Sequence, residues 1–342
     1  MGIRATAIET QIKKFCAEIG NESLLVQGAG GNVSWKDEGT LWIKASGMWL
    51  VDAESKEIFV PVNLEHLQAS IEKKSFHITP LVNRTSVLRP SIETLMHALM
   101  PHRIVVHLHS IEILAYLVRP NFRQQLNMAI GNRINFECVD YHKPGQELAK
   151  SIYEVLNHNL SVDVIFLRNH GVVIGGENVD EIRNLLFEIN RRLKSRPKFN
   201  FTAATSAPVP VELANKYTPL EQADISLLAT QPALYSRLDT NWCLYPDHIV
   251  FLGPKANLYS SWKEFHYEAF ITNQFPDLIF IEHKGIYTTS RFSISQQVQL
   301  KCYFDVLIRQ EADNKLCSMS AADINDILEW DAEHYRILQA KH

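Results

Sequence analysis

Residues 89–110 read RPSIETLMHALMPHRIVVHLHS, and within that stretch a helix gives way to a strand. Ser91 can accept hydrogen bonds from the first free N–H groups of a helix, so a helix is expected from there, with Glu93 in its first turn. IVVHLH (104–109) is a short β-branched run that predicts a strand. Side chains two apart on a strand share a face, so His107 and His109 can converge on one ion from a rigid element.

Downstream the pattern recurs. SIEILAYLV after the first strand is helical, DVIFLRNHG (163–171) predicts another strand, and a helix follows through DEIRNLLFEINRRL. His170 falls at the carboxyl end of this second strand, just before Gly171, where the backbone can turn sharply and leave the imidazole exposed. Imidazole nitrogens suit zinc and other first-row divalent metals, and three protein ligands leave coordination positions open. Glu93 is read as a fourth ligand of an empty site or as a general acid/base; without the histidines it would be only an acid favouring a helix N-terminus. His97 and His102 are alternative ligands read as packed or surface residues, as are His142, His248 and His283.

Towards the amino terminus, residues 6–19 predict an amphipathic helix. GAGGN (28–32) opens into VSWKDEGTLWIKASG, whose alternation around Asp37-Glu38-Gly39 predicts a hairpin. GAGGN lacks both the Lys-Ser/Thr ending of a P-loop and full dinucleotide-binding spacing, so alone it is a turn.

The composition bounds the rest. A chain of 342 residues is long for one core and predicts two domains. A hydrophobic content of 46% against 21% charged residues fits a soluble globular protein. The net charge of −4, with no Lys/Arg-rich run, argues against nucleic acid as a partner. Five widely spread cysteines without a C-x-x-C pair fit reduced thiols and a cytoplasmic address. No apolar run approaches the roughly 18 residues of a membrane span. MGIRAT formally matches a myristoylation pattern, but it has no polybasic partner and is not read as an anchor.

Between Arg196 and Pro219 the composition shifts to Pro, Thr and Ala. The expected division is a metal-binding domain over residues 1–200, a linker over 201–219 and a second α/β domain over 220–342. DLIFIEHKGIYTTS (277–290) lies over DVIFLRNHGVVIGG (163–176) without gaps, which predicts an internal repeat. There His170 falls opposite Lys284, and the second copy has no H-x-H, so it is expected to be degenerate and to hold no metal.

Taken together, GAGGNVSWK, IKASG, RPSIETLMHALMPHRIVVHLHS and IFLRNHGVVIGG resemble, in order and spacing, the class II aldolase/adducin family. Within it they are most like the aldolase half of bifunctional rhamnulose-1-phosphate aldolase/short-chain dehydrogenases. The resemblance implies a three-layer α/β/α domain, usually a homotetramer, with zinc held by His107, His109 and His170 and Glu93 as acid/base. It also implies that the substrate end away from the reacting carbonyl meets Asn32, Ser46, Gly47 and Ser91, with Lys44 nearby. Ala29 and Ile92 stand where small fuculose-phosphate type aldolases carry hydroxyls, which departs from their phosphate-binding pattern. The proton-transferring tyrosine of those enzymes has no clear counterpart; Tyr116 and Tyr141 qualify only by residue type. No dinucleotide-binding fingerprint occurs in the carboxyl segment, so no nicotinamide cofactor is expected.

The expected function is therefore a Zn2+-dependent (or other divalent-metal) lyase of the aldolase kind. It would cleave a ketose or ketose phosphate through an enediolate whose charge the metal stabilises. Two readings stand beside it: a metal-dependent decarboxylase or other lyase acting on an oxo or hydroxy acid, and an adducin-like scaffold without activity.

Overall fold

The computed structural model describes residues 6–83, 86–198 and 205–339. The MGIRAT pattern and residues 201–204 of the expected linker thus lie almost wholly outside it. Two compact units form, one running to Lys194 and resuming at Glu329, the other spanning Ser195–Leu328.

In chain order the first unit contains α1 (Ala7–Gly20), β1 (Asn32–Asp37), β2 (Thr40–Lys44), β3 (Phe59–Asn63), α2 (Leu64–Glu72) and α3 (Thr94–Leu99). Then come β4 (Ile104–Leu108), α4 (Ile111–Leu117), α5 (Phe122–Ile130), β5 (Phe136–Val139), α6 (Gln146–His158), β6 (Val164–Leu167), β7 (Gly171–Gly176) and α7 (Val179–Leu193). Its seven-stranded sheet has the order β3-β2-β1-β4-β7-β6-β5. The expected hairpin is β1–β2: Asp37 pairs with Thr40, leaving Glu38 and Gly39 as a two-residue turn with φ of 43° and 73°. Positive φ at both positions matches the twist of the flanking strands, and Gly39 adopts it without a steric cost.

The alternation along β4 builds the layers. Ile104, Val106 and Leu108 pack with Phe15, Ile113, Leu126, Ile182 and Ile189, which come from α1, α4, α5 and α7. Val105 points the other way, among Met96, Met100, Leu148 and Ile152 of the α3 and α6 side. Farther along that second face, Leu41, Ile43, Val60 and Val62 pack with Leu67 and Leu95. Helices thus cover both faces of one sheet, the three-layer α/β/α arrangement. By parity His107 shares the face of Val105, the face against which α3 packs.

Two local expectations change. The chain from 163 to 171 is not one strand followed by a helix, because β6 ends at Leu167 and the backbone reverses into β7 before α7 begins. The left-handed residue of that reversal is Asn169, at φ 52°, a conformation asparagine tolerates better than most residues. The helix after Ser91 starts at Thr94, so Glu93 is its N-cap residue rather than part of its first turn. Ser91 still acts as foreseen on a local scale: its hydroxyl accepts the Glu93 N–H at 3.2 Å.

The second unit contains β8 (Thr218–Pro219), α8 (Leu227–Thr230), α9 (Pro232–Thr240), α10 (Pro246–Leu252), β9 (Leu258–Tyr259) and α11 (Trp262–Thr272). β10 (Leu278–Ile281), β11 (Gly285–Thr288), α12 (Ile294–Leu307) and α13 (Ala321–Leu328) follow. Its sheet runs β8-β11-β10-β9 over a core that includes Tyr217, Tyr259, Phe265, Ile279 and Tyr287. Part of the expected linker belongs here: Val211–Leu213 is a 3-10 turn, and Thr218–Pro219 pairs with β11 at the sheet edge, where a proline costs no ladder hydrogen bond. The expected second domain also ends early, since α14 (Asp331–Gln339) rejoins the first unit.

β10–β11 has the same backbone plan as β6–β7. Leu167 pairs with Gly171 and Ile281 with Gly285, and the turns carry a left-handed Asn169 or His283. The Gly175 amide reaches the Asp163 carbonyl as the Thr289 amide reaches that of Asp277. Among the described residues no helix is long and apolar enough to cross a membrane.

Candidate metal centre

Three separate elements deliver the site. β4 carries His107, and His109 follows immediately; the β6–β7 turn carries His170; the start of α3 carries Glu93. All four side chains are buried. One nitrogen from each imidazole lies within 4.8 Å of those of the other two. His107 Nε2 and His109 Nε2 are 3.0 Å apart, and Glu93 stands against the group with Oε1 3.4 Å from His170 Nε2 and Oε2 3.6 Å from His107 Nε2.

The tautomer of His107 follows from its other nitrogen. Nδ1 lies 3.0 Å from the Val172 carbonyl, which can only accept, so Nδ1 carries the proton and the Nε2 lone pair faces the cluster. Burial, then the neighbouring His170 and His109, hold its pKa well below the usual histidine value and keep it neutral, the ligating form. A lone pair aimed at a second imidazole nitrogen at 3.0 Å, with the Glu93 carboxylate beside His107 and His170, is a donor set that a divalent cation satisfies. The residues therefore fit a metal ion, with a backbone carbonyl orienting one ligand from behind.

Close packing sets these positions. A β-carbon on Gly171 would stand 2.3 Å from the Leu108 carbonyl oxygen and 3.1 Å from the His109 ring. Gly171 is thus required for the approach of β7 to β4, while the turn itself is made by Asn169. Asn32 opposes His107 across β1 and β4, and its Nδ2 donates to Glu93 Oε2 at 2.7 Å. In this structure Asn32 therefore holds the carboxylate.

The other residues expected at the substrate end lie close by. The Ser91 amide donates to the Lys44 carbonyl at 3.2 Å and the Ser46 amide to that of Arg89 at 2.9 Å, joining the loop after β2 to the loop before α3. Lys44 is buried, and its ammonium donates to the carbonyls of Ala29 (2.9 Å) and Met48 (2.6 Å). It ties the glycine-rich turn to the 45–48 loop. His97 packs as expected, with Nδ1 2.8 Å from Ser34 Oγ and its pKa pushed down to about 3, chiefly by burial. His102 pairs with Asp163 at 3.1 Å, and His248 is buried among the rings of Trp242, Tyr245 and Tyr303. Tyr116 carries the Arg119 guanidinium on its ring, and Tyr141 follows β5 in the loop that leads to Gly145.

The sequence pattern did not reveal the Asn32–Glu93 contact or the Val172 carbonyl behind His107. Arg-Asn-His-Gly was the available sign of a turn, since asparagine favours left-handed positions. The fit of Gly171 against β4 has no local sign at all.

The profile of the Class II Aldolase and Adducin N-terminal domain family matches residues 10–195, more than half of the chain, and the chain belongs to that family. Among curated proteins it is similar to the uncharacterized oxidoreductase YuxG of Bacillus subtilis (strain 168), at 29% identity over 175 residues. That match takes in 46% of this chain and spans only 25% of the length of the relative. Among solved structures, the N-terminal class II aldolase domain of a conserved protein from Thermoplasma acidophilum aligns at 25% identity. The alignment covers 57% of this chain and 95% of that one, with a TM-score of 0.47. The L-fuculose-1-phosphate aldolase of Thermus thermophilus aligns at 17% identity over 55% of this chain and 92% of its own, with a TM-score of 0.39.

Proposed function

We propose that this chain is a metal-dependent carbon–carbon lyase of the aldolase kind, acting on a small polyhydroxylated carbonyl compound. The observation that carries the reading is the convergence of His107, His109 and His170 with Glu93 at the ends of three elements of an aldolase-family domain. A divalent ion held by the three imidazoles supplies Lewis-acid polarisation of a substrate carbonyl.

The chain's own groups do the rest. Glu93 accepts and returns the proton that C–C cleavage or formation requires, from a carboxylate already within 4 Å of two imidazoles. Asn32 fixes Oε2, so that Oε1 is the oxygen presented to the reacting group. Burial of the four side chains excludes water, which strengthens each electrostatic contact. Ser46, Gly47 and Ser91, on two hydrogen-bonded loops of which the second leads into Glu93, are the contacts for the far end of the substrate. The Lys44 ammonium keeps its charge but is buried and donates to the Ala29 and Met48 carbonyls, tying loops together, and this favours an unphosphorylated compound.

The test is elemental analysis of metal per chain, on protein without a histidine tag, for the parent and for His107→Ala/His109→Ala. About one divalent metal per chain, lost in the variant, supports the reading. A metal-free parent that cannot be reloaded overturns it and leaves the non-catalytic scaffold. Glu93→Gln separates binding from chemistry: it is expected to keep the metal and to lose about 100-fold or more in kcat. Release of an aldehyde fragment rather than CO2 distinguishes aldol cleavage from decarboxylation.

A further inference from the structure

The chain leaves the first unit at Lys194 and returns to it at Glu329, and the returning segment lands beside the metal centre. It makes three contacts there, two of them on loops that carry site residues and one on the 143–145 loop, which packs beside Ile92. The Trp330 ring lies 4.9 Å from Lys143 Nζ and fills the space beside Gly145, where a β-carbon would meet the indole at 3.3 Å and the Ile92 carbonyl at 3.7 Å. Ile92 immediately precedes Glu93. The Tyr335 ring carries the Arg89 guanidinium at 4.3 Å, and the Arg89 carbonyl is the acceptor of the Ser46 amide. Gln339 closes over Gly47, where a β-carbon would stand 2.4 Å from Gln339 Cβ and 3.4 Å from the Arg336 carbonyl. Inside the helix Glu333 is buried and accepts from Arg336 at 3.3 Å.

Beneath these contacts the site is closed. Glu93, His109, His170, Asn32, Ser46 and Ser91 are each no more than 8% exposed while α14 is seated. Lifting of a covering element would expose these side chains further. The histidine-bearing strand is a poor candidate, since β4 is paired along both edges, with β1 and β7. α14 is nine residues long and is seated, together with Trp330 just before it, by two rings on cationic side chains and by one glutamine on a glycine.

We propose that α14 is a lid: it lifts from Gly47, Arg89 and Lys143 to open the cleft, and it reseats through Trp330, Tyr335 and Gln339 to close it. The gating role rests on the catalytic reading of the site given above, whereas the opening itself does not. Trp330, Tyr335 and Gln339 act by covering and ordering the loops that carry Ser46 and Glu93, so they are positioning residues.

Native-state hydrogen exchange on the metal-free full chain, across low denaturant concentrations, tests the motion. α14 and the loops at 44–48 and 89–93 are expected to exchange in one opening, at least tenfold faster than β4 and β7. Exchange of α14 only together with β4 and β7 would overturn the proposal, and so would loops that stay as protected as β4 while α14 opens. A second measurement follows carbethoxylation of the buried histidines by diethyl pyrocarbonate in Trp330→Ala/Tyr335→Ala. His109 and His170 are expected to react at least tenfold faster than in the parent, and an unchanged rate rejects the lid. If the variant does not fold, exchange in the parent decides alone. Neither readout needs metal or turnover, so failure of the lyase reading and failure of the lid are separately visible.

Discussion

Asn32 shows what one side chain does in this site. Its amide gives Glu93 a charge-assisted hydrogen bond at 2.7 Å inside a buried cluster, and such bonds contribute roughly 1.5–3 kcal/mol. Asn32 supplies none of the three imidazole nitrogens, so its removal should leave metal binding nearly intact while freeing the carboxylate. Asn32→Ala is expected to lower kcat by about 10- to 100-fold, with metal content per chain unchanged; equal loss of both would show that Asn32 supports the whole cluster. At this scale much was legible in the sequence. His107 and His109 follow from strand periodicity, and His170 from its place before a glycine. Their partners were not legible, because the Asn32–Glu93 contact joins residues far apart in sequence and depends on a strand register that no local pattern encodes.

Among the elements, β1, β2, β4 and α7 were readable because each carries a clear period or turn, whereas β7 was not. Its sequence, GVVIGG, is a short apolar run with glycines at both ends, and periodicity alone does not separate a buried strand of this kind from a buried helix segment. Yet β7 sets the height of His170. Gly171 sits where a β-carbon would be 2.3 Å from the Leu108 carbonyl and 3.1 Å from the His109 ring. Gly171→Ala must therefore push β7 away from β4, an overpacking that costs about 1–3 kcal/mol. Because the same shift moves His170 relative to His109, the variant is expected to unfold at lower temperature and also to lose metal faster to a chelator. A lower Tm with unchanged chelator kinetics would mean that the strand pair yields without disturbing the ligands.

For the molecule as a whole, composition placed a boundary near residue 200 but could not show that α14 returns to the first unit, since that depends on contacts made by the last described helix. The alignment of 277–290 on 163–176 was readable from residue identities, and the backbones share register and turn conformation. The chemistry differs: Lys284 stands in the place of His170, and a β-carbon on Gly285 would meet Ser206 Oγ at 2.3 Å where Gly171 faces Leu108 and His109. Each unit nevertheless buries a histidine that must stay neutral, His97 in the first and His248 in the second, and both have pKa values pushed down to about 3, chiefly by burial. In the unfolded chain these groups titrate near 6.5, so below that pH the unfolded state takes up protons that the folded state refuses. Their contribution is complete above about pH 6.5 and falls by about 1.4 kcal/mol per pH unit for each histidine as the pH drops towards about 3. Between pH 7 and pH 5 the second unit should lose about 2 kcal/mol through His248 alone. Calorimetry of the full chain at a series of pH values should show its transition moving down accordingly. His248→Phe, which keeps a ring among Trp242, Tyr245 and Tyr303, should flatten that dependence, and a slope unchanged by the substitution would assign the acid sensitivity to other groups.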